Sequence, residues 1–117
     1  WHRYVPDAEL IALYDQARVF AFLSTYEGFA MTPMEAIARG VPAVLRDTPI
    51  TREVYGEGAR LVSSEHSALV TALTTLLTDD AAHAALLAAG RKRLATFSWA
   101  ESAARVRAAL HHAGARR

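Results

Sequence analysis

Cysteine is absent from all 117 residues, which excludes disulfides, thiolate chemistry and cysteine-ligated zinc. No apolar run approaches the roughly 18 residues that a membrane-spanning helix needs, and Trp1-His2-Arg3 does not open a signal peptide. A soluble, cytoplasmic chain is the expectation, with membrane association of a longer parent left open. Neither charge sign dominates: 13 basic against 12 acidic residues leave a formal charge of +1, so no overall field points to nucleic acid or an anionic membrane. The basic residues are nevertheless uneven, because from Arg91 to Arg117 Glu101 is the sole acid. The five histidines show no ligand spacing with acids, no HExxH or paired-aspartate pattern occurs, and no metal is expected. G-x-G-x-x-G and P-loop patterns are missing, and Ser24 and Ser98 have no nucleophile-elbow context, which leaves nucleophilic catalysis unsupported.

What is present suits one globular α/β domain, since 52% of the residues are apolar and 21% charged. Val5-Pro6-Asp7 marks a helix start, followed by an apolar stripe of Leu10, Ile11, Leu13 and Tyr14 on a helix ending near Ala17. The run Val19-Phe20-Ala21-Phe22-Leu23 reads as a strand buried on both faces of a parallel sheet. Thr32, Pro33 and Glu35 read as an N-cap, a first-turn proline and the acid of a capping box, predicting a helix from Pro33 to about Arg39 that Gly40 ends. A second strand spans residues 41–45, a short helix residues 50–55 and a third strand residues 59–62. Leu69, Val70, Leu73, Leu76 and Leu77 then stripe a helix over residues 65–78. Asp80 is expected to cap the next helix, with Leu86, Leu87 and Leu94 inward. Ser98 and Glu101 form a second capping box before a helix striped by Trp99, Ala103, Val106 and Leu110, and the tail from His111 is expected to fray. These spacings predict a partial Rossmann-like domain: about three parallel strands, helices on both faces and a helical C-terminal region.

The chemistry concentrates between Tyr26 and Ala36. Glu27 lies in the loop after the first strand and Glu35 one turn into the next helix, so both carboxylates can face one pocket and accept charge-assisted bonds from the hydroxyls of a sugar or ribose. Gly28 is expected to permit a turn that a side chain would obstruct, and Ala30, Met31 and Thr32 to present free amides to phosphate at the helix start. Glu35 also has the bland role of helix-cap partner, and a loop acid such as Glu27 is often merely solvated.

From Glu27-Gly28-Phe29 through Glu35-Ala36 to Gly40-Val41-Pro42, and on through Asp47-Thr48-Pro49, Arg52-Glu53-Val54-Tyr55-Gly56 and Phe97-Ser98-Trp99, the chain resembles the retaining glycosyltransferases of family 4 (glycosyl transferases group 1), with their E-x7-E signature and GT-B fold of two Rossmann-like domains. The resemblance implies that residues 1–117 are part of the C-terminal, nucleotide-sugar-binding domain, without the acceptor domain and the first strands of the donor domain. It implies a nucleotide-diphosphate sugar as donor substrate, no cofactor and no metal, and transfer with retention to an acceptor that could be a saccharide, a lipid or a small molecule. By the same resemblance Glu27 is the catalytic-site acid touching the donor sugar. Gly28, Phe29, Ala30, Met31 and Thr32 lie against sugar and diphosphate, and Glu35 binds the ribose hydroxyls. Two positions depart from the family pattern, which usually has Gly at Ala30 and Pro at Leu23.

A donor domain lacking its first strands would leave residues 19–23 on an exposed edge, a template for pairing with another chain, so self-association through that edge is expected. The chain alone is expected to be inactive and to bind nucleotide diphosphate weakly. Two other classes fit the residues: a non-enzymatic α/β interaction module, and a glycoside hydrolase using Glu27 and Glu35 as paired acids, which would need them roughly 5 to 9.5 Å apart across a cleft.

Overall fold

A computed structural model describes residues 4–114. Three parallel strands, β1 (Phe20–Phe22), β2 (Ala43–Arg46) and β3 (Arg60–Val62), form one sheet in the order β1-β2-β3. Phe20 is in register with Ala43, and Val44 with Arg60. Helices α1 (Asp7–Gln16), α2 (Met31–Ala38), α3 (Pro49–Tyr55), α4 (His66–Thr78), α5 (Asp80–Leu94) and α6 (Trp99–Gly114) complete the fold. The parallel α/β architecture expected from the sequence is the one observed.

Side-chain alternation along β2 divides the core, because successive residues of a strand point to opposite faces. Ala43 and Leu45 pack with Ile37, Val54 and Tyr55 beneath α2 and α3. Val44 faces the other way, onto Ala72 and Leu76 of α4. A third cluster joins Tyr14 of α1 to Ala36 and Val41. Gly90 on α5 lets that helix lie against the turn after α3: a Cβ there would stand 2.8 Å from the Gly58 carbonyl oxygen and 2.9 Å from Ile37 Cγ2.

Several local expectations are corrected. The first strand is shorter than residues 19–23 and not buried on both faces: Ala21 is exposed while Phe20 and Phe22 are half-buried. β2 is its sole partner among the described residues, which leaves β1 at an edge of the sheet, while Val19 and Leu23 beside it pack against the Val44 cluster. On α1 only Leu10 and Tyr14 face the core, whereas Ile11 and Leu13 are exposed.

Helix α2 begins at Met31, two residues before Pro33, with Ala30 as N-cap and no side-chain cap, so the Thr32/Glu35 capping box does not form. Pro33 is tolerated because the first turn's amides have no intrahelical acceptor. The capping box that does form joins Thr48 and Thr51 at the start of α3.

Asp79, not Asp80, caps α5, its carboxylate accepting from the amides of Ala81 and Ala82 at 2.9 Å. Asp80 is paired with Arg18 instead. Ser98 Oγ accepts from the Glu101 amide at 3.3 Å, but the Glu101 side chain completes no box and pairs with Arg105. The stripe on α6 has no buried residue, Trp99 is 82% exposed, and the helix includes His111 to Gly114, the rest of the tail expected to fray lying outside the described residues.

Candidate functional site

The loop from Leu23 to Ala30 leaves the carboxyl end of β1 and enters α2, the position at which open parallel sheets bind ligands. Two long side chains fasten it from the next strand and helix. Arg46, closing β2, donates from Nε to the Leu23 carbonyl at 3.1 Å. Tyr55, closing α3 and fully buried, donates its hydroxyl to the Ala30 carbonyl. Tyr55 is itself placed by α3, whose terminal carbonyls are satisfied by Arg93 of α5: Nε donates to Val54 O at 2.8 Å and Nη2 to Glu53 O at 2.6 Å.

Ala30 has φ 64°, and it is the one non-glycine residue with positive φ among those described. The sequence reading placed the special backbone at Gly28, and that is corrected. Gly28 does not have positive φ, and a Cβ built on it would meet nothing within 4 Å. The left-handed turn falls two residues later, on a residue with a methyl group. Ala30 is only 6% exposed and belongs to the core cluster that includes Ile37, Leu45 and Tyr55.

The remaining predicted residues surround this turn. Glu27 is half-buried, while Gly28, Phe29, Met31, Thr32 and Glu35 are exposed. Tyr14 reaches from α1 to Glu35, donating at 3.4 Å to Oε2 and at 3.5 Å to the Thr32 carbonyl. Phe29 stands edge-on to Phe97, with ring centroids 5.5 Å apart, and separates two cavities. One, about 370 Å³, is lined chiefly by Phe29, Met31, Met34, Phe97 and Trp99. The other, about 170 Å³, is lined by Gly28, Phe29, Glu53, Val54, Arg93 and Phe97 among others. Neither has Glu27, Ala30, Thr32 or Glu35 in its wall; Glu27 lies in the loop before α2 and Glu35 past the first turn of that helix.

Electrostatics ties the two acids together. Burial pushes the Tyr55 phenol far up from its usual 10.0, opposed by backbone hydrogen bonding from Met34, and the charges of both Glu27 and Glu35 raise it further. The Tyr14 phenol is raised from 10.0 by burial first and then by the charge and hydrogen bond of Glu35, with Arg39 acting in the opposite sense. Both hydroxyls therefore remain protonated donors around neutrality. Among the described residues no group of histidine, aspartate and glutamate is arranged to hold a metal ion, and no helix is long and apolar enough to cross a membrane.

Sequence reasoning missed Tyr14, Arg46 and Tyr55. One signal was available: a tyrosine, where phenylalanine would fill the same apolar position, needs a partner for its hydroxyl.

The loop at the carboxyl end of β1, the uncapped start of α2 and the carboxylates of Glu27 and Glu35 make up the candidate site of this open α/β domain. The chain belongs to the family of glycosyl transferases group 1, whose model matches residues 1–93. It is 34% identical over 97 residues to O-antigen chain mannosyltransferase B of Escherichia coli, covering 82% of this chain and 26% of that protein. It is 37% identical over 106 residues to D-inositol 3-phosphate glycosyltransferase of Corynebacterium glutamicum, covering 86% and 25%. To the MMP alpha-(1->4)-mannosyltransferase of Mycolicibacterium hassiacum it is 36% identical over 117 residues, covering 96% and 28%. The chain thus spans about a quarter of the length of these three relatives.

Proposed function

We propose that this chain is the donor-binding part of a retaining glycosyltransferase of GT-B type, which moves a sugar from a nucleotide-diphosphate sugar to an acceptor. The observation that supports it is the loop at the carboxyl end of β1, which holds Glu27 and opens into the uncapped start of α2, the helix that bears Glu35. In this reading Glu27 accepts hydrogen bonds from the donor sugar and Glu35 from the ribose. The amides of Gly28, Phe29, Met31 and Thr32 face the diphosphate, where the positive end of a helix favours an anion. Ala30 contributes the turn rather than a contact, since it is buried.

The bond from the anomeric carbon to the diphosphate breaks and one to an acceptor hydroxyl oxygen forms on the same face, the hydroxyl's proton passing to the departing diphosphate. A bound metal has no assigned role, and the cytoplasm is the proposed compartment. Because two of the relatives above are named as mannosyltransferases, a nucleotide-activated mannose is the first donor to test. Length supports a longer working protein that supplies the acceptor site and the remaining donor contacts, with this chain inactive alone. The unpaired side of β1 is then where the sheet continues, or where a free chain associates with a second copy.

Titration of the 15N-labelled chain with GDP-mannose and UDP-glucose tests the reading. Weak, millimolar binding should shift the amides of Gly28, Met31 and Thr32 while leaving α4 unmoved. Shifts scattered over the surface, or none at either donor, would overturn it. The paired-acid hydrolase is the weaker alternative, because an uncapped helix start beside the loop suits a phosphate rather than a saccharide chain.

A further inference from the structure

An alanine in a left-handed turn is strained, because its Cβ crowds the adjoining carbonyl. Such residues persist only where their surroundings over-determine them. Two restraints act on Ala30: it is buried in the core cluster that also holds Ile37, Leu45 and Tyr55, and its carbonyl is held by the hydroxyl of Tyr55, 25 residues further along the chain. The family resemblance puts glycine at this position, where no such restraint is needed.

We propose that Tyr55 is the positioning residue of this site: its hydroxyl, by holding the Ala30 carbonyl, keeps the strained turn closed and thereby aims Glu27 and the first amides of α2 at one ligand. The hydroxyl is fully buried, and because its other backbone bond, with the Met34 amide, is one it accepts, its single proton is left for the Ala30 carbonyl. Its neighbours favour the donor form, since the carboxylates of Glu27 and Glu35 both oppose ionisation of the phenol. Tyr55 reaches the turn and not the ligand, so it acts through Ala30. The consequence for ligand affinity rests on the donor-site reading above, whereas the hold on the turn does not.

Four proteins test it: the parent chain, Tyr55→Phe, Ala30→Gly and the double variant, each checked for folding by circular dichroism. Tyr55→Phe keeps the ring in the core and removes only the hydroxyl. In the unliganded chain, amide exchange at Glu35 and Ala36, which follow the unpaired first-turn amides of α2 and have acceptors within the helix, should quicken about fivefold in Tyr55→Phe, the factor corresponding to one hydrogen bond of ordinary strength. It should return to within about twofold of the parent in the double variant, because glycine holds the turn without help. Affinity for GDP-mannose should follow the same order, falling with the closed fraction of the turn and recovering with it. A merely structural tyrosine would give losses that Ala30→Gly does not rescue, and that result, or unchanged exchange in Tyr55→Phe, would overturn the proposal. If exchange behaves as expected while none of the four proteins binds a nucleotide sugar, the hold on the turn stands and the donor-site reading falls.

Discussion

The Tyr14 hydroxyl on α1 donates to Glu35 Oε2 on α2 at 3.4 Å, across 21 residues of sequence. Sequence logic had given Glu35 a partner only three residues away. The contact leaves the helix start open, since a carboxylate turned toward α1 no longer folds back over the amides of its own helix. It also holds one end of the site to the α1 layer, through the cluster of Tyr14, Ala36 and Val41.

Removing the hydroxyl with Tyr14→Phe should cost about 0.5 to 1 kcal/mol, the lower part of the range for a hydrogen bond because the contact is long. Urea unfolding measures it. In a longer protein with transferase activity, the same variant should raise the donor KM more than it lowers kcat, because it loosens Glu35 without touching the reacting sugar.

In that longer protein, Glu35→Ala should weaken donor binding by about 1.5 to 3 kcal/mol, the range for a lost hydrogen bond to a charged group. Glu27→Ala should act mainly on kcat. Steady-state kinetics separate the two, and small, equal effects on both parameters would contradict the assigned roles.

Gly90→Ala should destabilise the fold by about 1 to 3 kcal/mol through overpacking, because the new Cβ would lie 2.8 Å from the Gly58 carbonyl oxygen and 2.9 Å from Ile37 Cγ2. Helix propensity alone predicts the opposite sign, a gain of about 1 kcal/mol for replacing glycine in a helix. Thermal or urea unfolding therefore decides between packing and propensity.

Two adjacent aspartates offer a cleaner comparison. Asp79→Ala should cost about 1 kcal/mol as a lost N-cap, given its bonds to the Ala81 and Ala82 amides. Asp80→Ala should cost less, since its pairing with Arg18 is solvent-exposed and such pairs contribute little. The reverse order in urea midpoints would restore Asp80 as the cap.

Alkaline stability follows from the two buried phenols. Both are raised in the folded state from an ordinary value of 10.0, so the folded chain retains protons that the unfolded chain releases. Their contribution is complete below about pH 10 and is lost as pH rises beyond it toward the folded-state values. Unfolding free energy should thus hold steady to that point and then decline, with a shallower decline in Tyr55→Phe.

Local pattern was informative wherever a segment's own periodicity sets its structure. Leu69, Leu73 and Leu76 predicted α4, and its bounds agree to one residue. The α6 stripe has the same kind of spacing and no buried residue, because periodicity states which face is apolar and not what covers it. The start of α2 was misjudged for a related reason: Thr32, Pro33 and Glu35 satisfy a local rule, but contacts 21 and 25 residues away claim Glu35 and Ala30.

By itself the sequence determined the succession of strands and helices, the family, and the glutamates and loop that carry the proposed chemistry. Each of these is written in neighbouring residues or in ordered short motifs. Only the tertiary structure decided that the left-handed turn falls on Ala30, that Tyr14, Arg46 and Tyr55 hold the loop, and that Gly90 must lack a side chain. Such facts depend on which distant groups meet across the packed layers, and a buried hydroxyl or a missing Cβ has meaning only once its opposite partner is in place.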